Sequence, residues 1–187
     1  TVTAGLFTRS DPGALGTIPD LQFYVGRGTE APDKFITITI SLVQPKSRGE
    51  VRLRSGDPGA APIIRGNYLQ AQADVDVLVR GVKLARWFGD SEAYGPLRAA
   101  ELEPGPNTKS DADIEAFARR ASDTIYHPAG TCKMGPDSDT LAVVDPELRV
   151  RGIEGLRVAD ASIMPEVVNA TTHAACVMIG EKMALLL

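Results

Sequence analysis

The alternation Ile36-Thr37-Ile38-Thr39-Ile40-Ser41-Leu42 constrains this chain more than any other stretch. Successive side chains of a strand point to opposite faces, so aliphatic residues at every second position form one apolar face. The β-branched Ile and Thr residues favour the extended backbone. Burial of one face only argues for an antiparallel sheet. The expected partner is Glu50 to Arg54, returning after a turn at Pro45 to Gly49 with Val51 and Leu53 inward. Leu21, Phe23 and Val25 alternate with Gln22, Tyr24 and Gly26 as a second half-buried strand, and 63–68 adds another. Residues 1–19, rich in Gly, Pro, Ser and Asp, read as loop, and 26–34 as turn.

Helical spacing follows. Val75, Leu78, Val79, Val82, Ala85 and Phe88 recur on one face of a helix that Asp74 caps and Gly89 ends. A linker with Pro104, Gly105 and Pro106 spans 101–107. Ser110 with Asp113 then forms a capping box for a short helix carrying Ile114, Phe117 and Ala118. Residues 141–151 have β character broken at Asp145-Pro146, and 156–160 reads as a buried strand. From Thr172 to Leu187 the residues are apolar nearly all round, the pattern of a buried helix. The whole is an α+β arrangement, an antiparallel sheet packed with helices.

With 43% apolar and 24% charged residues, the chain can bury a core. The net charge of −4 comes from interspersed acids and bases, so no basic face invites nucleic acid or an anionic membrane. No apolar run approaches the roughly 18 residues of a spanning helix. The start at Thr1, with no initiator Met and no signal-peptide pattern, reads as a processed chain or a fragment. Two cysteines make no disulfide framework, which favours a reducing compartment such as the cytoplasm.

Only two histidines and two cysteines occur in the chain, and they fall in two short segments. Tyr126-His127-Pro128-Ala129-Gly130-Thr131-Cys132-Lys133-Met134-Gly135 holds one of each. Asn169-Ala170-Thr171-Thr172-His173-Ala174-Ala175-Cys176 holds the others. Histidine is the side chain that transfers protons at neutral pH, so both near element ends suggest one shared site. Alternatives stand beside this. His127 before a proline can be structural, and His173 can cap or fill space. His127, Cys132, His173 and Cys176 are also enough for a Cys2His2 zinc site, although the His-x4-Cys spacing is loose for one. Cys132 could act as nucleophile with His173 as base, but no orienting third group is evident. Both cysteines can equally be small buried residues. Asp160 ends the expected strand, where ligands bind in α/β sheets, or else caps the following turn. The unpaired N–H groups at the start of the last helix stabilise negative charge nearby.

The stretch 126–135 resembles the C-terminal signature of the glucose–methanol–choline (GMC) oxidoreductases. So do 143–165, from Val143-Val144-Asp145-Pro146 to Ser162-Ile163-Met164-Pro165, and 170–182. The choline and alcohol dehydrogenase branch looks closest, and the likeness extends back to about residue 20. It implies an FAD-dependent enzyme that oxidises a small-molecule alcohol to an aldehyde or ketone. It also implies a substrate-binding portion over 1–155, with 156–187 returning as strand and helix to complete a Rossmann-type FAD-binding domain. By the resemblance, His127 is the base that takes the hydroxyl proton while the carbinol carbon gives hydride to flavin N5. His173, which is His or Asn in the family, orients the developing alkoxide. Asp160 and Ala161 lie along the FAD, and His173, Ala174 and Ala175 bring a helix N-terminus to its pyrimidine end.

Three departures qualify the likeness. His173 is Asn in many choline-branch relatives, so choline is a doubtful substrate, and Ala175 replaces a frequent Pro. A G-x-G-x-x-G fingerprint is missing from the chain, so the pyrophosphate is expected to be held by an N-terminal portion outside it. A lyase of the same fold and a non-catalytic binding fragment are the rival expectations.

Overall fold

A computed structural model describes residues 2–13, 16, 18–27 and 35–187. Three antiparallel strands open it: β1 (Val2–Thr8), β2 (Leu21–Arg27) and β3 (Ile36–Leu42), in the order β1-β2-β3. Strand β2 is central, pairing Leu21 with both Thr8 and Leu42. The expected loop at 1–19 is therefore partly a strand. Its residues lack strict alternation, and the β2 ladder supplies the backbone partners that propensity does not predict. Asp20 organises the connection by accepting the Ser10 N–H at 2.6 Å and the Ser10 hydroxyl at 2.7 Å. The turn expected over 26–34 lies, from residue 28 onward, outside the described residues.

The alternation at 36–42 does form a strand, but its partner is β2 and not 50–54. Residues 50–52 form β4 (Glu50–Arg52), paired with β5 (Ile63–Arg65) in a separate two-stranded sheet. Asp74 explains why the turn at 45–49 does not close a hairpin. Its carboxylate, 2% exposed, accepts the Lys46 N–H at 2.7 Å, the Ser47 N–H at 2.8 Å and the Ser47 hydroxyl at 2.6 Å. Donors that a tight turn would direct along its own ladder are thus committed to a helix. Val51 and Leu53, expected inward, are exposed.

That helix, α1 (Gln72–Gly89), starts two residues before Asp74, with Ala71 at its N-cap. Asp74 is accordingly a first-turn residue, where a carboxylate also suits the helix dipole. The anticipated face is the buried one. Val75, Val79 and Val82 pack with Ile114 of α2 (Asp111–Ala121), and Ile40 and Leu69 flank them. Gly81 lets α1 approach the sheet, since a Cβ there would lie 2.8 Å from Ile40 Cγ2. The capping box is present in both directions: Ser110 Oγ accepts the Asp113 N–H, and Asp113 accepts the Ser110 N–H.

The chain divides into two compact units, Thr1–Arg48 with Asn67–Asp123, and Gly49–Gly66 with Thr124–Leu187. In the second, regular structure beyond β4 and β5 is sparse. Val144 bridges Met134 and Val150, and Arg149 bridges Arg157. Residues 156–160 thus carry one isolated bridge in place of a buried strand, and Leu156 is exposed. A short 3-10 helix spans Ala161–Ile163. The last helix, α3 (His173–Ala184), buries only Ile179, with Ala175, Cys176 and Met183 packed beside a cluster of Val144, Leu148, Ile163 and Met164. These positions form one stripe at helical spacing. Val177 and Met178, expected buried, are more than half exposed. Among the described residues no helix is long and apolar enough to cross a membrane.

Candidate active site

The His127 loop is fastened by its main chain. Gly130, Cys132 and Met134 donate their N–H groups to the carbonyls of Ala161, Ser162 and Ile163 at 3.2, 2.9 and 2.7 Å. At Gly130 the chain takes φ +86°, and an added Cβ would stand 3.1 Å from the Met164 carbonyl oxygen. Glycine meets both demands, since other residues lose about 1 kcal/mol or more in that conformation. Two residues before the proline, the backbone reverses again: Tyr126 has φ +64°, and its side chain is 79% exposed. A bulky residue held left-handed is an uncommon feature that accompanies functional loops.

The far end of the loop is braced by charge. Lys133 Nζ lies 2.6 Å from Asp139 Oδ2, and Arg151 donates to Asp137 at 2.7 Å and to the Gly135 carbonyl at 2.8 Å. The Lys133 hydrogen bond, then the Leu141 backbone N–H, holds the Asp139 carboxyl below its ordinary range. Gly135 N–H in turn donates to the Val144 carbonyl at 3.1 Å. Loop 126–135 is thereby tied at one side to 161–163 and at the other to 142–151.

His127 itself is half-buried, and its Nδ1 lies 3.0 Å from Thr172 Oγ1. Thr172 is the N-cap residue of α3 and 7% exposed, and it immediately precedes His173. The two histidine segments, 46 positions apart by their numbers, thus meet at the start of α3. His173 and Ala174 are exposed there, and Ala175 faces the cluster. The Thr172 side chain makes no capping hydrogen bond to this helix.

Asp160 is exposed and caps the 3-10 helix by accepting the Ser162 N–H at 2.8 Å and the Ser162 hydroxyl. The bland alternative for this residue, a turn cap, is therefore its visible contact. Ala161 reaches the loop through its carbonyl, as the acceptor for Gly130. The Cys2His2 alternative has no geometric basis, because no three His, Cys, Asp or Glu side chains gather around a common point among the described residues. Both cysteines are free and half-buried, and Cys176 packs against the α3 cluster.

Sequence reasoning missed Thr172 and the Lys133–Asp139–Arg151 brace. In the sequence Thr172 marks only the start of the last helix. Its long-range partner is visible only in three dimensions. Lys133 sits inside the singled-out stretch, but nothing local points to Asp139 or Arg151.

Residues 45–180 match the family model described as GMC oxidoreductase. The chain is 42% identical over 188 aligned residues to the mitochondrial choline dehydrogenase of Homo sapiens, covering 96% of this chain and 31% of that protein. It spans about a third of the length of the curated relatives it matches. Among solved structures, pyridoxine 4-oxidase from Mesorbium loti superposes with a TM-score of 0.83 at 32% identity, covering 97% of this chain and 36% of the other. A formate oxidase from Aspergillus oryzae, studied for its FAD modification, superposes with a TM-score of 0.82 at 28% identity over 92% of this chain and 32% of the other. The signature loop, the short 3-10 helix and most of α3 all fall within the matched residues, and the chain belongs to the GMC oxidoreductase family.

Proposed function

We propose that this chain is the substrate-binding and catalytic C-terminal part of an FAD-dependent oxidoreductase that oxidises a small-molecule alcohol to an aldehyde or ketone. The observation that carries the reading is the His127 Nδ1–Thr172 Oγ1 contact, which brings the signature loop onto the start of α3 beside His173. Relatives named as a choline dehydrogenase and as an FAD-bearing formate oxidase support it.

With Nδ1 engaged by Thr172, Nε2 is the ring nitrogen left to take a hydroxyl proton. His127 acts as the general base, and an imidazole suits that task at neutral pH. His173, on the exposed edge of the same helix start, holds the alkoxide oxygen by hydrogen bonding as negative charge develops there. Bound FAD would supply the acceptor of the hydride leaving the carbinol carbon, so that proton and hydride together leave a carbonyl. The residues present fit a flavin on the chemistry of their donors. The N–H groups at the start of α3, not capped by the Thr172 side chain and followed by His173, Ala174 and Ala175, suit its electron-rich pyrimidine edge. Asp160 and Ala161 belong to the segment that anchors the loop, and are assigned to the FAD contact together with His173, Ala174 and Ala175.

The pyrophosphate site falls to an N-terminal portion with a G-x-G-x-x-G turn, in keeping with a chain that spans a third of its relatives. In this reading 1–155 contributes to the substrate-binding domain, and 156–187 completes the FAD-binding domain, whose N-terminal portion covers Val177 and Met178. The two free cysteines suit a reducing compartment, the cytoplasm. The test uses the full-length flavoenzyme and a panel of choline, pyridoxine and benzyl alcohol. His127→Ala is expected to slow flavin reduction by about 10²- to 10⁴-fold with FAD still bound. Wild-type turnover in that variant would refute the base assignment.

A further inference from the structure

We infer that Thr172 is the positioning residue for His127, setting which ring nitrogen carries the proton and where the other one points. This rests on the reading of His127 as the base. Three observations support it. Thr172 is 7% exposed, so its hydroxyl is withdrawn from bulk solvent and its rotamer is limited by packing. At the start of α3 its backbone is already helical (φ −75°, ψ −12°), and its side chain makes no capping hydrogen bond, which leaves Oγ1 uncommitted to the helix. Here only its carbonyl serves the helix, accepting the Cys176 N–H at 2.9 Å, while Oγ1 lies 3.0 Å from His127 Nδ1.

The chemistry of imidazole makes that contact matter. A neutral ring has one N–H and one lone pair, and the partner of one nitrogen decides the state of the other. If Thr172 Oγ1 accepts from Nδ1–H, the lone pair stands on Nε2, which can then receive a proton. The imidazolium formed keeps the same Nδ1–H···Oγ1 bond, so the ring need not turn during the transfer. If the hydroxyl instead donated to Nδ1, Nε2 would carry hydrogen and could not act as a base. Thr172 therefore works as acceptor, and Pro128 and the main-chain ties of Gly130 hold the loop while the hydroxyl holds the ring. No described residue bonds Nε2, which leaves it for substrate.

The experiment compares Thr172→Val, of nearly the same shape but with no acceptor, with Thr172→Ser, which keeps the oxygen, in the full-length flavoenzyme. Flavin reduction is followed anaerobically with the best alcohol of the panel. Thr172→Val is expected to lower the limiting reduction rate by about 10- to 100-fold. Substrate dissociation constant and FAD content stay within about threefold, and Thr172→Ser restores the rate to within about threefold of wild type. In a His127→Ala background, Thr172→Val should add nothing, because its effect passes through the ring. A readout independent of turnover comes from ¹⁵N NMR of histidine-labelled enzyme, with the His127 signals assigned by their loss in His127→Ala. The proton is expected on Nδ1 in wild type, and the Nε2–H form should grow in Thr172→Val. An unchanged rate in Thr172→Val, an equal loss in Thr172→Ser, or a wild-type proton on Nε2 would each overturn the inference. Failure of the base reading looks different, since His127→Ala itself would then turn over normally.

Discussion

The unit built from 1–48 and 67–123 and the unit built from 49–66 and 124–187 hold themselves together by different means. In the first, β2 lies between β1 and β3, and α1 and α2 share one apolar cluster with Ile114 1% exposed. Its backbone hydrogen bonds run mostly along ladders and helices. In the second, Val144, Leu148, Ile163, Met164 and Ile179 form the cluster, and the backbone around them is turns, single bridges and cross-loop contacts. A laddered element survives the loss of one contact because its neighbours repeat it. A cross-loop contact has no repeat, so each one carries a specific position. The candidate site is in the second kind of structure.

Substitutions can break or sharpen that contrast. The largest effect on stability is expected for Ile114→Ala, which removes a fully buried side chain between α1 and α2 and costs about 2–5 kcal/mol. Denaturant unfolding of the full-length enzyme measures the loss. Hydrogen exchange should show protection falling over 72–121 and persisting at Cys132 and Met134. Equal loss at both places would end the distinction. Next comes Gly130→Ala, which meets a left-handed backbone and the Met164 carbonyl and costs about 1–2 kcal/mol. Its signature is functional: flavin reduction should slow while protection over 72–121 stays as it was.

The smallest effect is expected for Asp139→Asn, and it depends on pH. The folded Asp139 carboxyl is held below its ordinary value, chiefly by Lys133, so its contribution is fully present above that value. The contribution disappears as pH falls through the folded value. Wild type and Asp139→Asn should therefore differ in thermal midpoint at neutral pH and converge in acid. A difference that persisted in acid would remove the charge from the explanation.

How much could be read in advance follows the same line. The alternation at 36–42, the apolar face of α1 and the Ser110 capping box are local patterns, and all three elements formed, although in β3 Ile36 is exposed and Ser41, on the other face, is the buried residue. The partner of β3 was not legible, because the choice between 21–27 and 50–54 turns on a buried Asp74 that binds residues 27 and 28 positions away. Apolar composition foretold burial for all of α3, whereas one stripe is covered within this chain. Composition reports that a surface needs a cover but not which chain segment provides it. At the candidate site, scarcity of His and Cys pointed to the two segments that do meet. The atom joining them, Thr172 Oγ1, had no local sign beyond a helix start.

The tie between the His127 loop and residues 161–163 has a consequence for how such a site diversifies. All three bonds run from peptide N–H to peptide carbonyl, at Gly130, Cys132 and Met134. Apart from the glycine, the fastening does not depend on which side chains the loop or its anchor carries. Selection can therefore rewrite the neighbouring side chains to suit a new molecule without undocking the histidine. The loop behaves as a socket whose fitting is standardised and whose lining is exchangeable.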